Sequence, residues 1–469
     1  MNVLAGTGTA PRVFASGITP PDPDALDALA RGTRDADLAA PPVVLPDFLH
    51  KDQMEMPSSI AVATRSTIRP SFTASSLNCG MALMALDVDV PGERATVALL
   101  EAIRCAHPWP PGLRRSLDTR DVLAAATDGA RFAVERFGVD ARGLERIEEH
   151  GRLSLEPHGG VASIREEIPW LTRVLSGMRF ASIGPSNHFI ELQRVEEILE
   201  PATAARLGVE EGQVTLQYHG GGGVLAGQIG RLYARRRKVP RSVRVVMALQ
   251  KPRHHLATAR SVAQARERLA LYFRPAAAIP RHGREGRRVM LAHAAAMNFG
   301  FAFRMAIYAS LARIAGGTLG ARDATLIVDS PHNSIYEEDG VIIHRHNTCR
   351  AWPAERFAPG TTFAETGQAL LLPGTSRTSS FLCVADAGAE ASLFSACHGS
   401  GGIVSDLEAR GLSGPDPAGR HTIRLRYDTS GPTTVPQLDD RGVDEALSIL
   451  TDHRIVRPVA RMRPLGVLH

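Results

Sequence analysis

The sequence predicts an α+β fold in one large domain, with mixed and antiparallel sheets flanked by helices. Strand-like apolar runs and helix-period stretches are intermixed, without the regular strand–helix beat of a parallel α/β sheet. No segment repeats, and no Pro/Gly/Ser-rich linker divides the chain. The composition is that of a globular protein, 44% hydrophobic and 22% charged over 469 residues, enough for an extensive core. Aromatics make up 5%, so Ala, Val and Leu must fill that core.

Residues 1–40 are Pro-, Asp- and Ala-rich and predict an irregular lead-in with one short helix; the folded domain is placed at 41–469. An apolar approach at 41–50 precedes strand-like runs at 58–67 and 82–90. Residues 95–149 have helical spacing, with Val97, Leu99, Leu100 and Ile103 on one face and a second stretch at 122–137. Residues 168–175 predict a helix and 196–211 a helix and turn. The alternation at 214–218 predicts a strand ending in His219 and four glycines. Residues 289–315, free of Pro, predict the longest helix. Short strands are expected at 325–328, 341–343 and 369–372, and a last apolar run ends at His398 before Gly399-Ser400-Gly401-Gly402.

Charge is unevenly spread. The span 231–288 carries 17 Lys plus Arg against two acids, Glu267 and Glu285, in a chain whose net charge is +5. Arg235, Arg236, Arg237 and Lys238 form its densest run. Such a field suits a polyanion, RNA first, and the span is expected to be helical. A solvated helical face gives the same pattern. No apolar run approaches a membrane span, and the N-terminus lacks a signal-peptide pattern. Five cysteines without CxxC spacing predict free thiols and a cytoplasmic protein.

Four histidines recur where a strand-like run meets Asn or Gly: His188, His219, His332 and His398. Cys79, between Asn78 and Gly80, shares that setting. Imidazole with thiolate suits zinc, manganese, iron or cobalt. No pair has local ligand spacing, and His150, His158 and His282 also precede Gly, so each position can equally be a turn histidine.

Taken in order, the motifs resemble those of the RtcB-type RNA ligases. Ser76-Leu77-Asn78-Cys79-Gly80 is similar to the family's Asp-x-x-Cys-Gly, and Asn187-His188-Phe189-Ile190-Glu191 to its Asn-His motif. His219 to Gly223, Pro331-His332-Asn333, His344 to Ala351, Pro373 to Ser380 and His398 to Gly402 resemble five further motifs. The resemblance implies a catalytic domain that joins RNA 3′-phosphate or 2′,3′-cyclic phosphate ends to 5′-hydroxyl ends with GTP and Mn²⁺, with Zn²⁺ or Co²⁺ as substitutes, in RNA repair or tRNA maturation. It implies metal ligation by Cys79, His188, His219 and His332, and a guanylylated His398. It implies nucleotide contacts from Asn187, Glu191, Asn333, Pro373, Gly374, Thr375, Ser376, Ser380, Gly399, Ser400 and Gly401. Arg345 and Arg350 are then expected to hold RNA phosphates, together with the 235–238 run. Neither the physiological RNA nor an activating protein partner follows from it.

The departures are specific. Ser76 stands where the family has a metal-site Asp, Gly223 and Gly402 where it has Arg, His346 where it has Lys, and His469 near its terminal Lys. Of the opening motif, Asp47 is kept and the His falls at position 50. These losses predict that guanylylation outperforms sealing, and that Gly402→Arg, alone or with Gly223→Arg, raises sealing more than guanylylation. Two other functions fit the same residues: a metal-dependent cyclic-phosphate phosphoesterase and a non-catalytic RNA-binding paralogue.

Overall fold

The computed structural model describes residues 10–469 apart from 52, 111–115, 185–187 and 238. Its centre is a nine-stranded sheet. Along its main path run Ala369–Leu372, Ser380–Ala385, Val456–Leu468, Phe189–Ile198, Val214–Gly220, Gly80–Leu86 and Ala324–Pro331, each antiparallel to its neighbour. His421–Leu425 lies parallel to the end of Val456–Leu468. Strand Gly80–Leu86 is buried on both faces. Ala82, Met84 and Leu86 point into the helical side of the core, and Met81, Leu83 and Ala85 into the other. Burial on both faces explains a run that is apolar throughout.

The helical side is organised around Arg284–Leu319, 36 residues long. Helices Glu93–Ala106, Thr119–Asp128, Ala130–Phe137 and Gly223–Leu232 surround it. A helix covered on every side is apolar all round rather than amphipathic. By length and composition it is long enough to cross a membrane, but its apolar stretch is wholly buried inside the protein.

A five-stranded sheet joins Arg12–Val13, Val43–Leu49, Ser58–Thr64, Val341–His346 and Asn333–Glu338. The chain passes between the sheets at His332, which separates Ala324–Pro331 from Asn333–Glu338. Beside that crossing, Thr348–Arg350 pairs with Ser395–Cys397, which delivers His398. The site therefore sits where two sheets meet.

Two expectations need revision. The lead-in is less irregular than expected from residue 10 on: Arg12–Val13 extends the smaller sheet, while the short helix expected there is Pro23–Thr33, capped by Asp22 and burying Ala25 and Leu29. Residues 189–198 form a ten-residue strand where a helix was expected from 196, and helix Pro201–Leu207 follows. Glu196 there is held by Arg463, so its polarity marks an ion pair at a strand end. The basic span is helical at Arg241–His255 and Val262–Phe273, as expected.

Candidate active site

The ends of four adjacent central strands bring the metal-type residues together. Gly80 lies opposite both Gly220 and Pro331, and His219 opposite Met81 and Phe189. Asn78 has φ 52°, a left-handed turn that Asn tolerates and that bends Cys79 onto the strand ends. Cys79 Sγ then lies 3.1 Å from His219 Nε2 and 3.6 Å from His188 Nε2. The ligand atoms of these three residues all lie within 4.8 Å of one another. The ring of His332 is 5.0 Å from that of His219, and its backbone N–H donates to Cys79 O at 2.8 Å. His332 Nδ1 is buried with no hydrogen-bond partner. His398 follows, its ring 4.3 Å from that of His332 and its Nδ1 likewise unpartnered.

Burial sets the protonation of this cluster. It pushes the Cys79 thiol up to about 12, with Arg304 pulling the other way, and drives His188 and His398 down to about 4. His188 and His398 are neutral at pH 7, with lone pairs available. A buried thiol beside imidazoles, with the nearby Nδ1 atoms of His332 and His398 lacking partners, suits a borderline transition metal.

A cavity of about 340 Å³ adjoins His188. Glu191, Pro373, Gly374, Thr375, Ser376 and Ser380 line it, with Val467 and His469. Its wall is tied to the histidine loop: Ser400 N and Oγ both donate to Pro373 O, at 3.1 and 3.0 Å, and Ser380 Oγ accepts from Gly374 N at 3.3 Å. Burial raises the Glu191 carboxyl to about 8, although Gln193 Nε2 donates to it at 2.7 Å.

Several expected residues stand elsewhere. Asn187 and Lys238 lie outside the described residues. Asn333 turns away from the cavity: its amide donates to Ser76 O at 3.2 Å and its Oδ1 accepts from Asn347 N at 2.9 Å. Gly399, Ser400 and Gly401 form the histidine loop and do not line the cavity. Arg345 is 0% exposed, forked onto Glu338 at 2.6 and 3.1 Å, with Ser395 Oγ accepting from its Nε. Arg350 is 3% exposed, paired with Glu149 and stacked 3.7 Å from the Trp352 ring. Both are structural cations, because each guanidinium neutralises a carboxylate inside the protein. Arg236 is also engaged, with Glu55 and the carbonyls of Pro70, Thr73 and Gly230, which leaves Arg235 and Arg237 exposed among the described residues of that run.

The two family-Arg positions have little room. Gly223 has φ +58° and a Cβ there would lie 3.0 Å from the Phe303 ring. A Cβ on Gly402 would collide with Asp47 Oδ1, which accepts from Gly402 N at 2.7 Å. Sequence reasoning also missed Arg424. It lies in register with Val467, as Glu191 does from the other side, and its Nη2 donates to Ser376 Oγ at 3.0 Å. Its signal was weak, one arginine in a polar strand. Arg304, the one charge inside the apolar stretch 289–312, was legible and overlooked.

The family model for the tRNA-splicing ligase RtcB matches residues 37–469. The RNA-splicing ligase RtcB of Mycobacterium tuberculosis is 28% identical over 418 residues, 85% of this chain and 89% of that protein. The tRNA-splicing ligase RtcB of Archaeoglobus fulgidus is 26% identical over 427 residues, 85% of this chain and 81% of that one. That of Pyrococcus horikoshii is 28% identical over 369 residues, 74% of this chain, which spans 38% of its length. The match runs through the Cys79 turn, the crossing at His332 and the His398 loop, and with it this chain belongs to the RtcB family.

Proposed function

We propose that this chain is a GTP-dependent RNA ligase that joins 3′-phosphate or 2′,3′-cyclic phosphate ends to 5′-hydroxyl ends, acting on cleaved RNA or tRNA in the cytoplasm. The observation that carries the reading is the contiguity of His398, His332, His219 and Cys79, beside a nucleotide-sized cavity whose wall is bonded to the His398 loop.

Cys79, His188, His219 and His332 would hold one or two divalent ions, the first three as a cluster of adjacent ligand atoms and His332 from beside His219, manganese by family resemblance and zinc or cobalt by donor type. When bound, such an ion supplies positive charge at the reacting phosphate. Neutral His398 is a competent nucleophile at pH 7. Its ring nitrogen forms a bond to the α-phosphorus of GTP as the bond to pyrophosphate breaks. A cyclic end is first opened by water, which breaks the bond from phosphorus to the 2′-oxygen and leaves a 3′-phosphate; an oxygen of the RNA 3′-phosphate then takes the GMP and frees the imidazole. A 5′-hydroxyl finally attacks that RNA phosphorus, and GMP leaves. Glu191, when ionised, accepts from the N–H groups on the guanine edge, and Ser376, which accepts a hydrogen bond from Arg424, lines the same cavity. At the opening of helix 401–409 the backbone N–H groups of Gly402 and Ile403 are held by Asp47, which ties the nucleophile loop to strand Val43–Leu49.

A second reading is favoured by the burial of Arg345 and Arg350 and by the glycines at 223 and 402: a phosphoesterase that opens cyclic phosphate ends. Product analysis on a cyclic-phosphate RNA with a separate 5′-hydroxyl strand distinguishes the two. Joined product requiring GTP supports ligation; a free 3′-phosphate with no joined product supports hydrolysis.

A further inference from the structure

Arg304 is 0% exposed in the middle of helix Arg284–Leu319, among Phe301, Phe303 and Met305. A cation in that position is costly unless its donors are all met. They are met at the metal end of the sheet. Nε donates to both oxygens of Asp329 at 2.8 and 3.0 Å, and Nη2 reaches Oδ1 at 2.7 Å. Nη1 donates to the backbone carbonyl of Asn78 at 2.6 Å and lies 3.5 Å from that of Gly220. Nη2 also donates to Asn78 Oδ1 at 2.7 Å.

Each of those groups adjoins a ligand residue. Asn78 precedes Cys79, Gly220 follows His219, and Asp329 lies three residues before His332 on the same chain run. One planar guanidinium thus touches three of the four segments that carry the cluster. Gly80 makes the approach possible, since a Cβ there would lie 2.8 Å from Arg304 Cζ. The Asn78 side chain is fixed from its other end as well, its Nδ2 donating to Met297 O on the same helix.

We infer that Arg304 is a positioning residue for metal binding: by fastening the Asn78 turn to Asp329 and Gly220, it holds Cys79 Sγ beside His219 Nε2, within the ligand spacing of a shared ion. The inference rests on the proposed metal site. Groups behind the ligands fix their orientation, and removing one typically lowers metal affinity about 10–100-fold. A lysine keeps the charge beside Asp329 but lacks the fork that reaches Asn78 O and Oδ1 together.

The test is titration of metal-free protein with Co²⁺ alone, read by the thiolate-to-cobalt charge-transfer band, with thermal melting as the fold control. Three proteins are compared: wild type, Arg304→Lys, and Asn78→Gly. The last removes the Oδ1 hydrogen bond while keeping a residue suited to a left-handed turn. The expected result is a thiolate band in wild type and a dissociation constant raised at least about tenfold in each folded variant, because the group behind the ligand is gone. Wild-type affinity and band intensity in folded Arg304→Lys would overturn the inference, since a purely structural Arg304 lowers the melting temperature and leaves the folded site intact. If Arg304→Lys does not fold, Asn78→Gly decides by the same criterion. A wild type that shows no band defeats the metal reading itself, and this inference with it.

Discussion

The ring of His398 stands 4.3 Å from that of His332, and the two belong to different strand pairs that meet at the junction of the sheets. Through His332 and His219 the nucleophile candidate is in contact with the thiol of Cys79. A groove between packed sheets places a nucleophile and a charge-stabilising cluster on rigid elements, which is what phosphoryl transfer needs from a protein.

Cys79 is expected to dominate metal retention, because it is the sole sulfur in the cluster and is central to it. Cys79→Ala should lose most bound metal, and His188→Ala, at the half-buried rim, should lose less. Elemental analysis of purified protein checks this. Equal metal content in wild type and Cys79→Ala would contradict it.

Arg345→Ala should act on stability, leaving Glu338 buried without its partner, at a cost of about 3–5 kcal/mol. Denaturant melting measures it. Arg236→Ala should likewise lower stability. Replacing the exposed pair Arg235 and Arg237 should instead flatten the salt dependence of RNA binding, by about 0.7 in log–log slope for each phosphate no longer neutralised. An Arg345→Ala protein of wild-type stability but weakened RNA affinity would restore the phosphate-binding role.

What the sequence made legible follows from physics that is local in the chain. Strand ends marked by His or Cys beside Gly or Asn located Cys79, His188, His219, His332 and His398, because turns at strand ends need those small or polar residues. The long helix was legible from an apolar stretch without Pro. Arginine roles were not legible. Arg345 is paired with Glu338 across a hairpin, and no spacing rule separates such an arginine from one that faces a phosphate. The end of strand 189–198 reads as helix because Glu196 and Glu197 look helical, whereas their partners Arg463 and Arg461 lie far along the chain. The motif points Asn333 at the nucleotide, but its amide closes the Ser76 turn instead.

Under the proposed ligation, Glu191 should give GTP binding a pH dependence. Burial raises its pKa from 4.5 to about 8, so in the free protein it is mostly neutral at pH 7. Binding a donor edge of guanine favours the carboxylate, so GTP affinity should rise with pH between about 6 and 8 and then level off. In the absence of ligand the sign for folding is opposite: the raised pKa makes ionisation of Glu191 a destabilising contribution that grows from pH 4.5 towards 8. Calorimetric titration with GTP across that window should show the rise in wild type and a flat profile in Glu191→Gln. A flat wild-type profile would remove Glu191 from base recognition.

Arg424→Ala should weaken nucleotide binding about tenfold, as expected for removing one charge-assisted hydrogen bond of about 1.5 kcal/mol, with little change in melting temperature since the side chain is half-buried. Unchanged affinity would leave Arg424 as a support for Ser376.

Gly402→Arg, which the family pattern would favour, should destabilise. Its side chain must displace Asp47 from Gly402 N at the start of helix Gly401–Ala409, costing about 1 kcal/mol as for removal of a helix cap. Sealing should remain slower than guanylylation by about one to two decades, measured against a relative with both arginines. Single-turnover rates for the two steps check this. A stable Gly402→Arg protein with faster sealing would show that Asp47 moves aside without cost.

Covalent chemistry at His398 is what the proposed ligation requires first. Wild-type protein incubated with Mn²⁺ and GTP labelled at the α-phosphate, then run on a denaturing gel, should carry the label. The adduct should be labile in acid and stable in base, as a phosphoramidate is, and His398→Ala should carry none. Label retained on His398→Ala, or no label on metal-loaded wild-type protein, would contradict the proposal.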